Sequence, residues 1–256
     1  KSLPGYLNVD CLDSNEYDAC IFWKNPVAQR YLIFQDPARA VYSSLLQMGT
    51  DLINDQIFGV KLLNRIQADK LESTTFRVGY HGDDENFKQM TLRDGRYLKP
   101  YATEHEHETA QVMAYYWLTH MEQTLKERTG VFYATGKSIL VDAFVTFDGD
   151  IDNNGTSDIV VKSNASFMPY KNGSIYMGYV ENPDESVAHE MALSAEVYIH
   201  EMGHGNLYWA SSVNNKGTPQ PLNDNNLNQS LYDNYGVFAC TSAAGCFRAI
   251  HEGQAD

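Results

Sequence analysis

His200-Glu201-Met202-Gly203-His204 sets two imidazoles and a carboxylate at a spacing that can do chemistry. Residues four apart share one face of a helix, so His200 and His204 can reach a single metal ion. Glu201, about 100° further around the helix than His200, lies beside the coordination position the histidines leave open. Two nitrogen ligands and a neighbouring carboxylate are what a zinc hydrolase needs: the ion activates water, and the carboxylate takes the proton. The lead-in Ser194-Ala195-Glu196-Val197-Tyr198-Ile199 can be helical. The bland reading of the same residues is a surface helix with two solvated histidines, so a third ligand decides between them.

One continuation, H-x-x-G-x-x-H, is closed, because Leu207 and Ala210 stand at its glycine and histidine positions. The other source is a glutamate from a following helix. His251-Glu252-Gly253-Gln254-Ala255-Asp256 puts Glu252 and Asp256 four apart, on one helical face. Glu252 can complete a zinc set of two histidines and a glutamate. Asp256 can orient a ligand histidine through its other ring nitrogen.

H-E-x-x-H-G with a later E-G-x-x-D resembles the thermolysin/fungalysin group of gluzincin metallopeptidases, the fungalysin version most of all. Asn164-Ala165-Ser166-Phe167 is similar to the N-A-x-aromatic edge strand of those enzymes. The resemblance covers residues 104–205 and 245–256, and no motif in residues 1–100 belongs to it. It implies an α+β, zincin-like fold: a mixed β-sheet lobe with the zinc-motif helix packed on it, followed by a C-terminal helical lobe missing here. It implies a secreted zinc endopeptidase with His200, His204 and Glu252 on the ion, Glu201 as general base and Asp256 fixing the ring of His200. Asn164 and Ala165 would then hold a protein or peptide substrate as an added strand. The interval from His204 to Glu252 is longer than usual in the group, so residues 206–244 read as an insertion. The chain stops at Asp256, inside the second motif, and the remainder of the same enzyme, with its oxyanion-stabilising residue, is expected beyond it. The division is therefore an N-terminal region of unassigned role, 1–100, and a catalytic domain, 101–256.

With 256 residues, 43% hydrophobic and 12% aromatic, the chain can bury a substantial core. The formal charge of −14 argues against nucleic acid and anionic membrane surfaces as partners. No apolar run reaches the roughly 18 residues that span a bilayer. Cys11, Cys20, Cys240 and Cys246 allow three pairings. Their close spacings favour Cys11–Cys20 and Cys240–Cys246 in an oxidising compartment; four buried thiols are the other reading. Residues 1–30 read as irregular. Residues 36–71 carry apolar positions at helical spacing, among them Ile57, Val60 and Leu63. Strands are expected at 74–80, 87–93, 138–147, 158–168 and 174–180. A helix should start at Thr103, with Glu106 in a capping box, and end at Thr129-Gly130. The zinc helix region should open at Pro183-Asp184, and residues 211–230 read as loop.

Asp148, Asp150, Asp152, Asn154 and Asp158 form a second chemical candidate. Asp150, Asp152, Asn154, Gly155 and Asp158 match positions 1, 3, 5, 6 and 9 of a calcium loop. Val161 stands where the bidentate glutamate would be, so this is not an EF-hand. Calcium binding and a plain acidic hairpin turn both remain open. His105 and His107 are two apart and point to different sides of a helix, which reads as a solvated first turn. His189 lies three helical turns from His200, too far to share the ion, and His251, facing elsewhere on the helix than Glu252, reads as a surface residue or a partner of a ligand. Glu181, in Gly178-Tyr179-Val180-Glu181-Asn182, faintly matches the strand whose glutamate holds the substrate amino group in gluzincin aminopeptidases. An aminopeptidase using Glu181 is thus one alternative function. A non-catalytic, zinc-stabilised binding module is the other, and the intact Glu201 argues against it. The N-x-S/T sequons at Asn154, Asn164, Asn172 and Asn228 carry little weight in so Asn-rich a chain.

Overall fold

The computed structural model describes residues 16–22, 57–81, 86–98, 106–145, 165–168, 172–178, 180–181, 187–188 and 190–214. These form a mixed α+β fold. The strands are β1 (Ala19–Phe22), β2 (Ile57–Val60), β3 (Phe76–Gly79), β4 (Ile139–Asp142), β5 (Ala165–Met168), β6 (Ser174–Met177), β7 (Val180–Glu181) and β8 (Val187–Ala188). The α-helices among the described residues are α1 (Glu106–Thr129) and α2 (Ala195–Asn214), with a 3-10 turn at Glu190–Leu193 just before α2.

The principal sheet has the order β3-β4-β6-β5. β3, β4 and β6 run parallel, and β5 runs antiparallel to β6. Each parallel pair, β3 with β4 and β4 with β6, needs a crossover, and α1 lies in the one between β3 and β4. Ile139, Val141 and Asp142 of β4 are buried and Leu140 is half-buried, as suits an inner parallel strand. β4 stops at Asp142 because that side chain accepts the Phe144 backbone N–H at 3.2 Å, turning the chain.

α1 is the central element. Val112, Met113, Ala114, Tyr115 and Leu118 are all buried, against β3, β1, α2 and the 3-10 turn. Apolar residues cover more than one stripe of this helix because it is packed on several sides. Truncating Leu118 to alanine would cost about 2–5 kcal/mol. The helix ends where the Gly130 N–H reaches the Lys126 carbonyl at 2.9 Å. Glu122 ties it to the sheet: its Oε1 accepts from Thr75 Oγ1 at 2.9 Å and Lys126 Nζ at 2.6 Å.

Several expectations are corrected. Ile57 and Val60 lie in a strand, not a helix, and β2 pairs antiparallel with β1, a segment read as irregular. The β-branched Ile57 and Val60 flank Phe58 and Gly59, and a pleated partner satisfies this short apolar run better than a helix turn. Residues 87–93 form no strand, only the isolated bridges Tyr80↔Lys88 and Arg93↔Arg96. Side chains serve that segment instead: Met90 N–H donates to Gln111 Oε1 at 3.2 Å, and Gln89 Nε2 donates to the Val78 carbonyl at 3.2 Å. Residues 211–214 continue α2 and are not loop. Within the described residues, α1 covers 106–129 and Thr103 lies outside them. Cys20 is buried in β1 and disulfide-bonded, and the other three cysteines lie outside the described residues.

Candidate metal centre

α2 carries the H-E-x-x-H residues, and it starts later than Pro183. Ser194 stands immediately before its first residue, Ala195, and its Oγ donates to Glu196 Oε2 at 2.9 Å. A serine in this position is a favourable helix start. Buried residues then recur along α2: Tyr198, Met202 and Trp209 face the core. Asn206 Oδ1 accepts the Tyr133 backbone N–H at 2.8 Å, fixing the middle of the helix to the segment after α1.

On this anchored helix the two histidines converge. His200 Nε2 and His204 Nε2 lie 3.0 Å apart, and their rings stand at 90° with centroids 4.6 Å apart. Two N–H donors cannot face each other at that distance, so at least one nitrogen presents a lone pair. Zinc–histidine bonds are about 2.0–2.1 Å. Twice that length exceeds the nitrogen separation, so one ion could reach both nitrogens once the proton between them is released, and the donor pair fits zinc. Glu201 is 6% exposed and His204 7% exposed, while His200 is half-buried. The carboxylate is thus held on the same helix, shielded from bulk water, where it can accept a proton. Among the described residues no three His, Cys, Asp or Glu side chains gather as a complete metal cage. Glu252 and Asp256 lie outside the described residues, as do Asn164 and the acidic segment Asp148, Asp150, Asp152, Asn154 and Asp158.

Ala165 opens β5, at the end of the principal sheet, where it pairs with Met177 of β6. Among the described residues β5 has a strand partner on one side only. α2 packs on β5. Glu181 lies in β7, paired with Val187.

Spacing alone did not reveal a second polar cluster. His81 follows β3, and its Nδ1 is hydrogen-bonded to Oδ2 of Asp142 at the end of β4. Asp142 Oδ1 also accepts the His81 backbone N–H at 3.1 Å. Asp142 is fully buried, and burial raises its carboxyl above the usual range against the opposing pull of His81. His107 belongs to the same region and is not a solvated first-turn residue. Its ring stacks on Phe144 at 4.6 Å and on Tyr80 at 5.4 Å. Tyr198 links this cluster to α2: burial first, and the charge of Asp142 second, push its hydroxyl well above its ordinary value. The 61 positions between His81 and Asp142 hide the pairing from any local pattern.

No protein-family model matches the chain, and neither does any curated protein or solved structure. Among the described residues no helix is long and apolar enough to cross a membrane.

Proposed function

We propose that this protein is a secreted zinc endopeptidase of the gluzincin type. The observation that carries the reading is the 3.0 Å approach of His200 Nε2 and His204 Nε2 beside the shielded carboxylate of Glu201. His200, His204 and Glu252 would hold the ion, and Asp256 would fix the ring of His200. Zinc, when bound, supplies Lewis acidity toward water and the substrate carbonyl. Glu201 then does the proton work: its carboxylate takes the proton of the attacking water and passes it to the leaving amine nitrogen. Asn164 and Ala165 would bind an extended peptide along the edge of the sheet, where main-chain groups give affinity without demanding particular side chains.

Two further parts belong to the reading. The acidic segment 148–158 would hold calcium through Asp148, Asp150, Asp152, Asn154 and Asp158, relieving repulsion between its carboxylates. Disulfides Cys11–Cys20 and Cys240–Cys246 would fit an oxidising compartment.

The test is hydrolysis of casein and of a peptide blocked at both ends. Cleavage of both, abolished by a chelator and restored by zinc, is the expected outcome. Cleavage only of substrates with a free amino terminus would move the assignment to an aminopeptidase using Glu181. Stoichiometric zinc with no hydrolysis of either kind would leave a zinc-stabilised binding module.

A further inference from the structure

Phe167 joins the sheet edge to the metal helix in an unusually confined way. It lies in β5 opposite Ile175 of β6. Its ring meets Trp209 of α2 edge-on at 5.4 Å and Tyr208 at 6.3 Å. Two glycines make room for it. A Cβ on Gly205, the residue after His204, would stand 2.8 Å from Phe167 Cε2 and 2.6 Å from Met202 Cε. A Cβ on Gly173 would stand 3.1 Å from the same ring atom and 2.7 Å from Trp209 Cη2. Gly173 also has a φ of +88°, which side-chain-bearing residues rarely adopt. Any side chain at either position would therefore displace the ring or the indole. Along a strand, residues two apart share a face, so Ala165 is on the same side of β5 as the seated ring.

We propose that Phe167 is a positioning residue. Its ring, seated over Gly205, sets the distance and tilt of the β5 edge relative to His200, Glu201 and His204. This rests on the endopeptidase reading, in which the β5 edge receives the substrate backbone. The ring touches neither the metal nor the reacting atoms. It acts through the strand, so it governs how well an extended peptide is registered against Glu201 and the ion. A misplacement of about 1 Å between substrate and catalytic groups can cost up to about 100-fold, and the Gly205–Phe167 contact has little slack to absorb one.

The experiment uses the full chain with Gly205→Ala, Phe167→Leu and the double variant. Hydrolysis of a blocked extended peptide is measured beside zinc stoichiometry and melting temperature. A parallel series in the Glu201→Gln background measures equilibrium binding of the same uncleaved peptide. Gly205→Ala is expected to raise KM, and the peptide Kd in the second series, by on the order of tenfold. Zinc content should change little, melting temperature should fall by only a few degrees as the Cβ is accommodated, and any fall in kcat should accompany the rise in KM. Phe167→Leu alone, which takes the ring off the glycine, should also raise KM and Kd, and in the double variant, where the smaller side chain makes room for the Cβ, the two losses should be less than additive. An unchanged KM and Kd in a folded, zinc-loaded Gly205→Ala protein would overturn the proposal. So would a loss that merely follows melting temperature or zinc content, with fully additive losses in the double variant. If the parent chain hydrolyses no peptide and its Glu201→Gln form binds none, the endopeptidase reading itself fails and the positioning role falls with it. A parent that cleaves while Gly205→Ala keeps its KM sinks the positioning role alone.

Discussion

His81 and His204 are both largely withdrawn from solvent, yet their rings are held in opposite ways. His81 is 13% exposed in its side chain and is hydrogen-bonded to a fully buried carboxylate, Asp142. His204 is 7% exposed, and its Nε2 faces the Nε2 of a second histidine at 3.0 Å. A carboxylate beside an imidazole satisfies a donor and fixes a ring. It adds to the fold and consumes the nitrogen's capacity in doing so. Two imidazole nitrogens 3.0 Å apart, at least one of them presenting a lone pair, form a donor pair that a cation can take over by displacing the shared proton. The elements beneath the two clusters differ as well. His81 and Asp142 lie at the ends of adjacent parallel strands, β3 and β4, whose register fixes them. His200 and His204 share one helix, so their geometry is local and can be retuned by a ligand.

If that contrast is right, the two clusters respond differently to mutation. The largest effect is expected at Glu201. Glu201→Gln should lower kcat on a blocked peptide by about 10²–10⁴-fold while leaving zinc content unchanged, because the proposed mechanism has the glutamate carry a proton and not ligate. Steady-state kinetics beside metal analysis would check it. Full activity in that variant would place the base elsewhere.

Asp142→Ala should act on stability instead. It removes the acceptor that the Phe144 backbone N–H and the His81 ring share, and leaves the His81 backbone N–H only its 3.2 Å bond to the Phe144 carbonyl. A loss of about 2–4 kcal/mol in denaturant unfolding is expected, with zinc content per folded molecule unchanged. A variant that folds normally and loses its metal would erase the distinction between the clusters.

The smallest effect is set by pH. Burial raises the hydroxyls of Tyr97, Tyr115 and Tyr176 above the ordinary value near 10. A group whose folded value is raised leaves stability intact below its unfolded value and lowers it as pH rises through the folded one. Stability should thus hold up to about pH 10 and fall above it, with tyrosinate absorbance rising together with unfolding. Tyrosinate formation well before unfolding would show that these rings are reached by solvent.

The two clusters were unequally legible in the sequence. H-E-x-x-H is a local pattern, and i, i+4 spacing on one helix brings His200 and His204 together with no knowledge of the rest of the fold. α1 was legible for the same reason: its apolar spacing and the Thr129-Gly130 stop are short-range signals. β4, β5 and β6 fall inside the expected strands, and β4 and β6 end before the expected strands do. The His81–Asp142 pair depends on which strand lies beside which, and no spacing rule reports that. The segment containing Ile57 and Val60 misled because four apolar residues fit a helical stripe and a buried strand equally well; pairing with β1 decided for the strand. Phe167 was visible as an aromatic residue on a β segment. Its seat over Gly205 appears only once α2 and β5 are packed together.

Elemental analysis of protein purified without chelator is the most direct test of the contrast. Wild type, Glu201→Gln and Asp142→Asn are expected to carry one zinc per chain, while His200→Ala and His204→Ala each carry none. Absence of stoichiometric zinc from the wild type, or equal loss from Asp142→Asn and His204→Ala, would contradict the assignment of the converging histidines as the metal centre.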